Sequence, residues 1–222
     1  MMAFGHVQVL RGIAIVAGFV AWAVLAHFGS SSALDADLGA AVGAAPIVAL
    51  TAVLLWRVRQ PYGIAAGVLL TVALLTWLWP LLTQHVAVIY LIQHVGTNLM
   101  LAAVFGRTLF GGGDALVTRF ARMAHSPLSA LEIAYSRRVT VAWTIFFCAD
   151  AALSLLLFLL GSPAVWSLFA NVLGGPLLIA MFLAEFAVRC HVLPPHERTT
   201  IADSIRGYRK AMRQRSSPVP LD

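Results

Sequence analysis

Six runs of about twenty apolar residues dominate the chain, each long enough to cross a bilayer as a helix. They fall at roughly 7–28, 38–56, 62–80, 86–106, 139–160 and 165–189. In hydrocarbon every backbone N–H and C=O must be satisfied inside the segment, which leaves helices and closed barrels. Barrel strands alternate apolar and polar residues, and these runs do not. The expected fold is therefore an all-α, polytopic transmembrane helical bundle of about six spans. Composition agrees: 60% of the 222 residues are hydrophobic and 11% charged, against about a quarter charged in soluble domains.

Charge then sets an orientation. Of the fifteen Lys and Arg, Arg11 lies near the start of span one. The other fourteen fall in alternate connections: Arg57 and Arg59, then Arg107, Arg119, Arg122, Arg137 and Arg138, then Arg189 and the tail. The intervening connections, "GSSSALDAD", "LLTQH" and "GSPA", contain none. Positive loops stay inside, so both termini are expected in the cytoplasm, with residues 1–192 forming the transmembrane domain and 193–222 a basic cytoplasmic tail. The net charge of +6 follows from that topology and does not point to nucleic acid. Span one is longer than a signal-peptide core and lacks a basic n-region, so it is expected to remain as a span. No internal repeat supports an inverted-repeat transporter. Pro46 and the "GGP" at 174–176 are places where the backbone either opens at depth or simply kinks.

The long connection carries amphipathic character. "FGGGDALVTRFARMAHSPL" gives a glycine turn, Asp114 as an expected N-cap, and a helix with Leu116, Val117, Phe120, Met123 and Ala124 on one side. Asp114, Thr118, Arg119, Arg122 and His125 gather on the other. Such a helix suits the headgroup layer. A second helix is expected to follow, starting either at Pro127 or at Ser129 with Glu132 closing a capping box. The glycines lack the strand and lysine of a phosphate loop, which leaves them as a turn. The tail repeats the pattern, with Arg206, Arg209, Lys210 and Arg213 among residues at helical spacing. Membrane lipids are the expected partner of these charges, and an acidic cytoplasmic protein is the alternative.

Within the spans the outstanding residue is Asp150, in "WTIFFCADAALSLLLF". An ionised aspartate facing lipid costs at least about 2.5–3.5 kcal/mol, so it is expected to pair, protonate or face the bundle. His94 and Asn98 share one helical face at a similar depth, and Asn171 lies nearer the outer side. The cluster is either an interhelical clamp or a proton or ligand site. Glu185 and Arg189, four apart, are expected to form an interfacial ion pair. Cys148 and Cys190 are expected as small buried side chains. No catalytic signature and no metal-ligand spacing is present, so no cofactor and no metal are expected.

A resemblance adds context. The stretch from "TNLMLAAVFGRTLFGGGD" through "RRVTVAWTIFF" to "WSLFANVLGGPLLIAMFLAEFAVR" resembles a family of bacterial inner-membrane proteins encoded in aryl-polyene (xanthomonadin-type) pigment clusters. The matching residues are Phe105-Gly106-Arg107, Thr118-Arg119-Phe120, His125, Arg137-Arg138, Thr140, Trp143, Phe146-Phe147, Phe169, Asn171, Glu185 and Arg189, within about residues 99–190. The resemblance implies the company of ketosynthases, acyltransferases and acyl carrier proteins, and brings no activity with it. It also implies asparagine at position 150 in relatives, which favours the clamp. The expected role is a non-catalytic membrane component that recruits or passes on acyl or polyene intermediates, with acyl carrier protein as a possible partner. The alternative is a small transporter or flippase using the intramembrane polar cluster.

Overall fold

A computed structural model describes residues 3–31, 35–58, 60–124 and 127–194, with side chains from residue 12 onward. Among these residues there are eight α-helices and no strand: α1 (Ala3–Ser30), α2 (Ala36–Trp56), α3 (Pro61–Gln84), α4 (Val86–Gly106), α5 (Leu116–Ala124), α6 (Ala130–Leu160), α7 (Pro163–Ser167) and α8 (Gly174–Val192). A π-helical turn, Leu168–Leu173, joins α7 to α8. Six helical stretches are long and apolar enough to cross a membrane. The protein is an all-α, multi-pass membrane protein.

Two ends differ from the sequence reading. α3 continues past Pro80 to Gln84, since a proline removes a single helical hydrogen bond and neighbouring groups can re-satisfy the backbone. The Thr83 hydroxyl adds bonds within the following turn, donating to the carbonyls of Trp79 and Pro80 at 3.2 and 3.1 Å. Span five and the helix expected before it are one continuous helix, α6. It opens with the Ser129 capping box: Ser129 N–H donates to Glu132 Oε2 at 2.7 Å, and Glu132 N–H to Ser129 Oγ at 3.1 Å. Pro127 starts no helix. Pro46, by contrast, lies inside an uninterrupted α2, while Gly174-Gly175-Pro176 follows directly on the π turn.

The chain forms two compact units, residues 1–95 with 153–176, and residues 96–152 with 177–222, the described part of the latter ending at 194. In the first, α1 and α2 approach through small residues: a Cβ on Gly29 would lie 3.1 Å from the Gly39 Cα. Such close approach lets dispersion hold helices together where lipid removes the hydrophobic driving force. Tyr90 closes the same contact by donating to the Gly39 carbonyl at 3.1 Å. Ala26, Tyr90 and Trp166 form the buried centre of this unit. The second unit is organised around Trp143, whose ring packs against Phe105, Phe146, Phe147 and Phe182 with centroids 4.7–6.1 Å away.

Candidate functional site

α5 is placed by hydroxyls from elsewhere in the chain. The Leu116 N–H donates to Thr108 Oγ1 at 2.9 Å, and the Val117 N–H to Thr140 Oγ1 at 3.2 Å. These are two of the donors that a helix start leaves without partners. The expected Asp114 cap is therefore corrected. The helix begins two residues later, its first N–H groups are already engaged, and Asp114 pairs with Arg122 at 2.6 Å instead. Engagement of those N–H groups also removes the donors that a phosphate at "GGGD" would need. Gly111 and Gly112 serve the turn itself, at φ of 89° and 72°, a region open to glycine at little cost.

Thr118 is likewise corrected. It leaves the expected polar face and is buried, sharing a 2.7 Å hydrogen bond with Ser136. α5 thus has three faces. Thr118 and Val117 pack inward, Phe120 and Met123 are exposed, and Arg119 and Arg122 flank them. Arg119 Nε donates to the Asp114 carbonyl at 2.9 Å, and Arg137 to the Leu109 carbonyl at 2.9 Å. Arg138 is exposed. His125, Arg206, Arg209, Lys210 and Arg213 lie outside the described residues.

The residues of the expected intramembrane cluster fall into two groups. Asn98 and Asp150 belong to the second unit, and His94 and Asn171 to the first. Asp150 is 9% exposed, ten residues from the end of α6, hence about 15 Å along the helix. It faces protein, as the cost of lipid contact requires. Asn98 is half-buried on α4. His94 packs edge-on to Phe169, with ring centroids 5.9 Å apart.

Asn171 belongs to a node that the sequence reading did not single out. Its side-chain amide donates to Ser30 Oγ at 2.9 Å; Ser30 Oγ lies 2.7 Å from Ser167 Oγ, and Ser167 Oγ lies 2.8 Å from His27 Nδ1. The Ser167 hydroxyl donates to the His27 carbonyl at 2.8 Å. This arrangement ties α1 to the α7 segment. Its local signals are same-face pairs, His27 with Ser30 and Ser167 with Asn171. Its pairing, across about 140 residues, has no sequence signature.

Glu185 and Arg189 pair as expected, at 2.8 Å, and the structure adds Tyr135, whose hydroxyl donates to Glu185 Oε1 at 2.9 Å. Cys148 is exposed and Cys190 half-buried, correcting the expected burial, because most side chains of these spans face outward. Among the described residues no group of three or more His, Cys, Asp or Glu is placed to hold a metal ion. Comparison with protein-family models, curated proteins and solved structures returns no match.

Proposed function

We propose that the protein is a non-catalytic component of a bacterial inner membrane, with both termini cytoplasmic. In this reading it serves aryl-polyene (xanthomonadin-type) lipid or pigment biosynthesis, recruiting carrier-protein-bound acyl or polyene intermediates or passing the product onward. The supporting observation is the fixed presentation of α5. Two hydroxyls from outside the helix hold its first turn, and its outward faces combine Phe120 and Met123 with Arg119. An apolar edge beside arginines fits the headgroup layer, and the charge fits an acidic carrier protein that docks there. Charge reversal at Arg138, Arg206, Arg209 and Arg213 tests the reading. It is expected to abolish salt-sensitive co-purification of the acyl carrier protein, while reporters fused at 111–113 and within 30–37 keep opposite sidedness. Undiminished carrier binding in that variant overturns it.

The second reading, a small transporter or flippase, is favoured by one observation: Asp150 is buried in mid-helix. A titrating carboxyl at depth is a common element of proton and ion paths. Asparagine at position 150 separates the two readings.

A further inference from the structure

A groove of about 640 Å³ runs along the α2–α3 hairpin of the first unit, within the range of about 300–1,000 Å³ for small-molecule sites. Val48, Ala52 and Leu55 line it from α2, and Ile64, Val68 and Leu75 from α3. Two threonines also face it, and both hydroxyls are already committed: Thr51 donates to the Ile47 carbonyl at 2.8 Å, and Thr71 to the Gly67 carbonyl at 2.7 Å. The walls therefore offer mainly hydrocarbon, with both threonine protons engaged within their own helices.

The dimensions narrow the occupant. From Ile64 to Leu75 the groove runs about 16 Å. That is half of a hydrocarbon core of about 30 Å, the depth of one leaflet. An extended hydrocarbon chain lying along the hairpin matches that length and the apolar lining. One end of the groove is marked by charge. Trp56 and Ala52 line both the groove and a smaller pocket of about 250 Å³ that Arg57 also lines. Arg57 is exposed, and among the described residues its guanidinium has no hydrogen bond or ion pair.

We propose that the α2–α3 groove binds the hydrocarbon chain of a long-chain carboxylic acid, with the carboxylate held at the rim by Arg57. A guanidinium matches a carboxylate through two parallel hydrogen bonds, and its aliphatic stem reaches along apolar surface to do so. The inference rests on the reading above only for the origin of the acid, an acyl or polyene intermediate. The site itself stands on the groove and its rim.

The test uses the full-length protein in phosphatidylcholine nanodiscs with two photoactivatable probes, a diazirine palmitic acid and a diazirine phosphatidylcholine. Cross-linked peptides are mapped by mass spectrometry. The fatty acid is expected to label residues 48–75 severalfold above the other spans. Val68→Trp, which fills the groove, and Arg57→Gln, which removes the cation, should each erase that enrichment. Ala52→Phe supplies a second filling variant if Val68→Trp fails to fold. Equal enrichment from the phosphatidylcholine probe means bulk lipid occupies the groove and overturns the proposal. So does fatty-acid enrichment that survives both a filling variant and Arg57→Gln. Fatty-acid labelling without carrier co-purification keeps the groove and removes the carrier reading, so the two failures are distinguishable.

Discussion

α3 and α6 are both long apolar helices, yet α3 buries none of its side chains and α6 buries a continuous stripe. That stripe runs Glu132, Tyr135, Ser136, Val139, Thr140, Trp143, Phe147, Asp150, Ala151 and Ser154, at helical spacing. Half or more of it is polar. In a soluble protein the polar face of a helix would point outward. In a membrane the lipid is as apolar as leucine, so polar and small side chains are what specify an inward face. α6 has such residues at 132, 136, 140, 150 and 154, with Trp143 and Phe147 between them. α3 offers Gly63 and Gly67, four apart, and these meet only Val58 and Leu55 at the end of α2 and just beyond it. α6 is held by specific partners, whereas α3 is held by the hairpin to α2.

The sharpest way to break this comparison is one substitution made at two places. Trp143 on α6 is 5% exposed and Trp77 on α3 is 77% exposed. Trp143→Ala removes the ring around which four phenylalanines pack, and buried aromatic-to-alanine changes cost about 3–5 kcal/mol. Chemical unfolding in detergent should show that loss, along with reduced membrane abundance. A cost under about 0.5 kcal/mol, the range for surface substitutions, would mean that the aromatic cluster does not organise this unit.

Asp150 should come next. If it is a clamp, Asp150→Asn keeps hydrogen-bonding capacity at nearly the same volume, and stability and pigment output persist. Asp150→Leu leaves its partner unsatisfied at depth, at a cost of about 1–3 kcal/mol. If it is a proton site, asparagine should abolish function at unchanged abundance, because an amide cannot release a proton. Pigment output at matched abundance distinguishes the outcomes, and the expected result is tolerance of Asn and loss with Leu.

The parts of this fold that were legible in the sequence are those with local signals. Apolar length marks the six spans, and the Ser129–Glu132 box marks the start of α6 within three residues of chain. The Glu185–Arg189 pair is one helical turn apart. The Asp114 cap misled for the same reason: it was the best local acceptor, but Thr108 and Thr140 supply theirs from 8 and 23 residues away. The polar stripe of α6 was readable in principle from Ser136, Thr140, Asp150 and Ser154, yet hydropathy draws attention to the aspartate and passes over the hydroxyls. The His27–Ser30–Ser167–Asn171 node joins residues about 140 apart beside a π turn, and neither that distance nor that turn leaves a local trace.

A hydroxyl in the stripe gives the third test. Thr140 Oγ1 is fully buried, accepts from the Val117 N–H and donates to the Ser136 carbonyl at 2.9 Å. Thr140→Val keeps the shape and strands the Val117 N–H, for about 1–3 kcal/mol, less if water reaches it. Hydrogen exchange read by mass spectrometry localises the effect. Faster exchange confined to 115–119 is expected, and an unchanged rate there would remove the account of how α5 is held.

The smallest effect should come from Trp77→Ala. Nothing in α3 is buried, so the ring exchanges one apolar environment for another, and stability should change by no more than about 0.5 kcal/mol. This null result is informative because the alternative has a different size. If α3 were covered by a second copy of the chain, an exposed tryptophan would be the side chain most enriched at such a contact, and truncating it would cost about 2 kcal/mol or more. The loss would then depend on protein concentration, as the stability of an oligomer does. Measuring the melting temperature of Trp77→Ala across a range of protein-to-detergent ratios therefore decides what solvates α3. A small, concentration-independent shift leaves lipid as its neighbour, and a large one that shrinks on dilution gives it a protein partner.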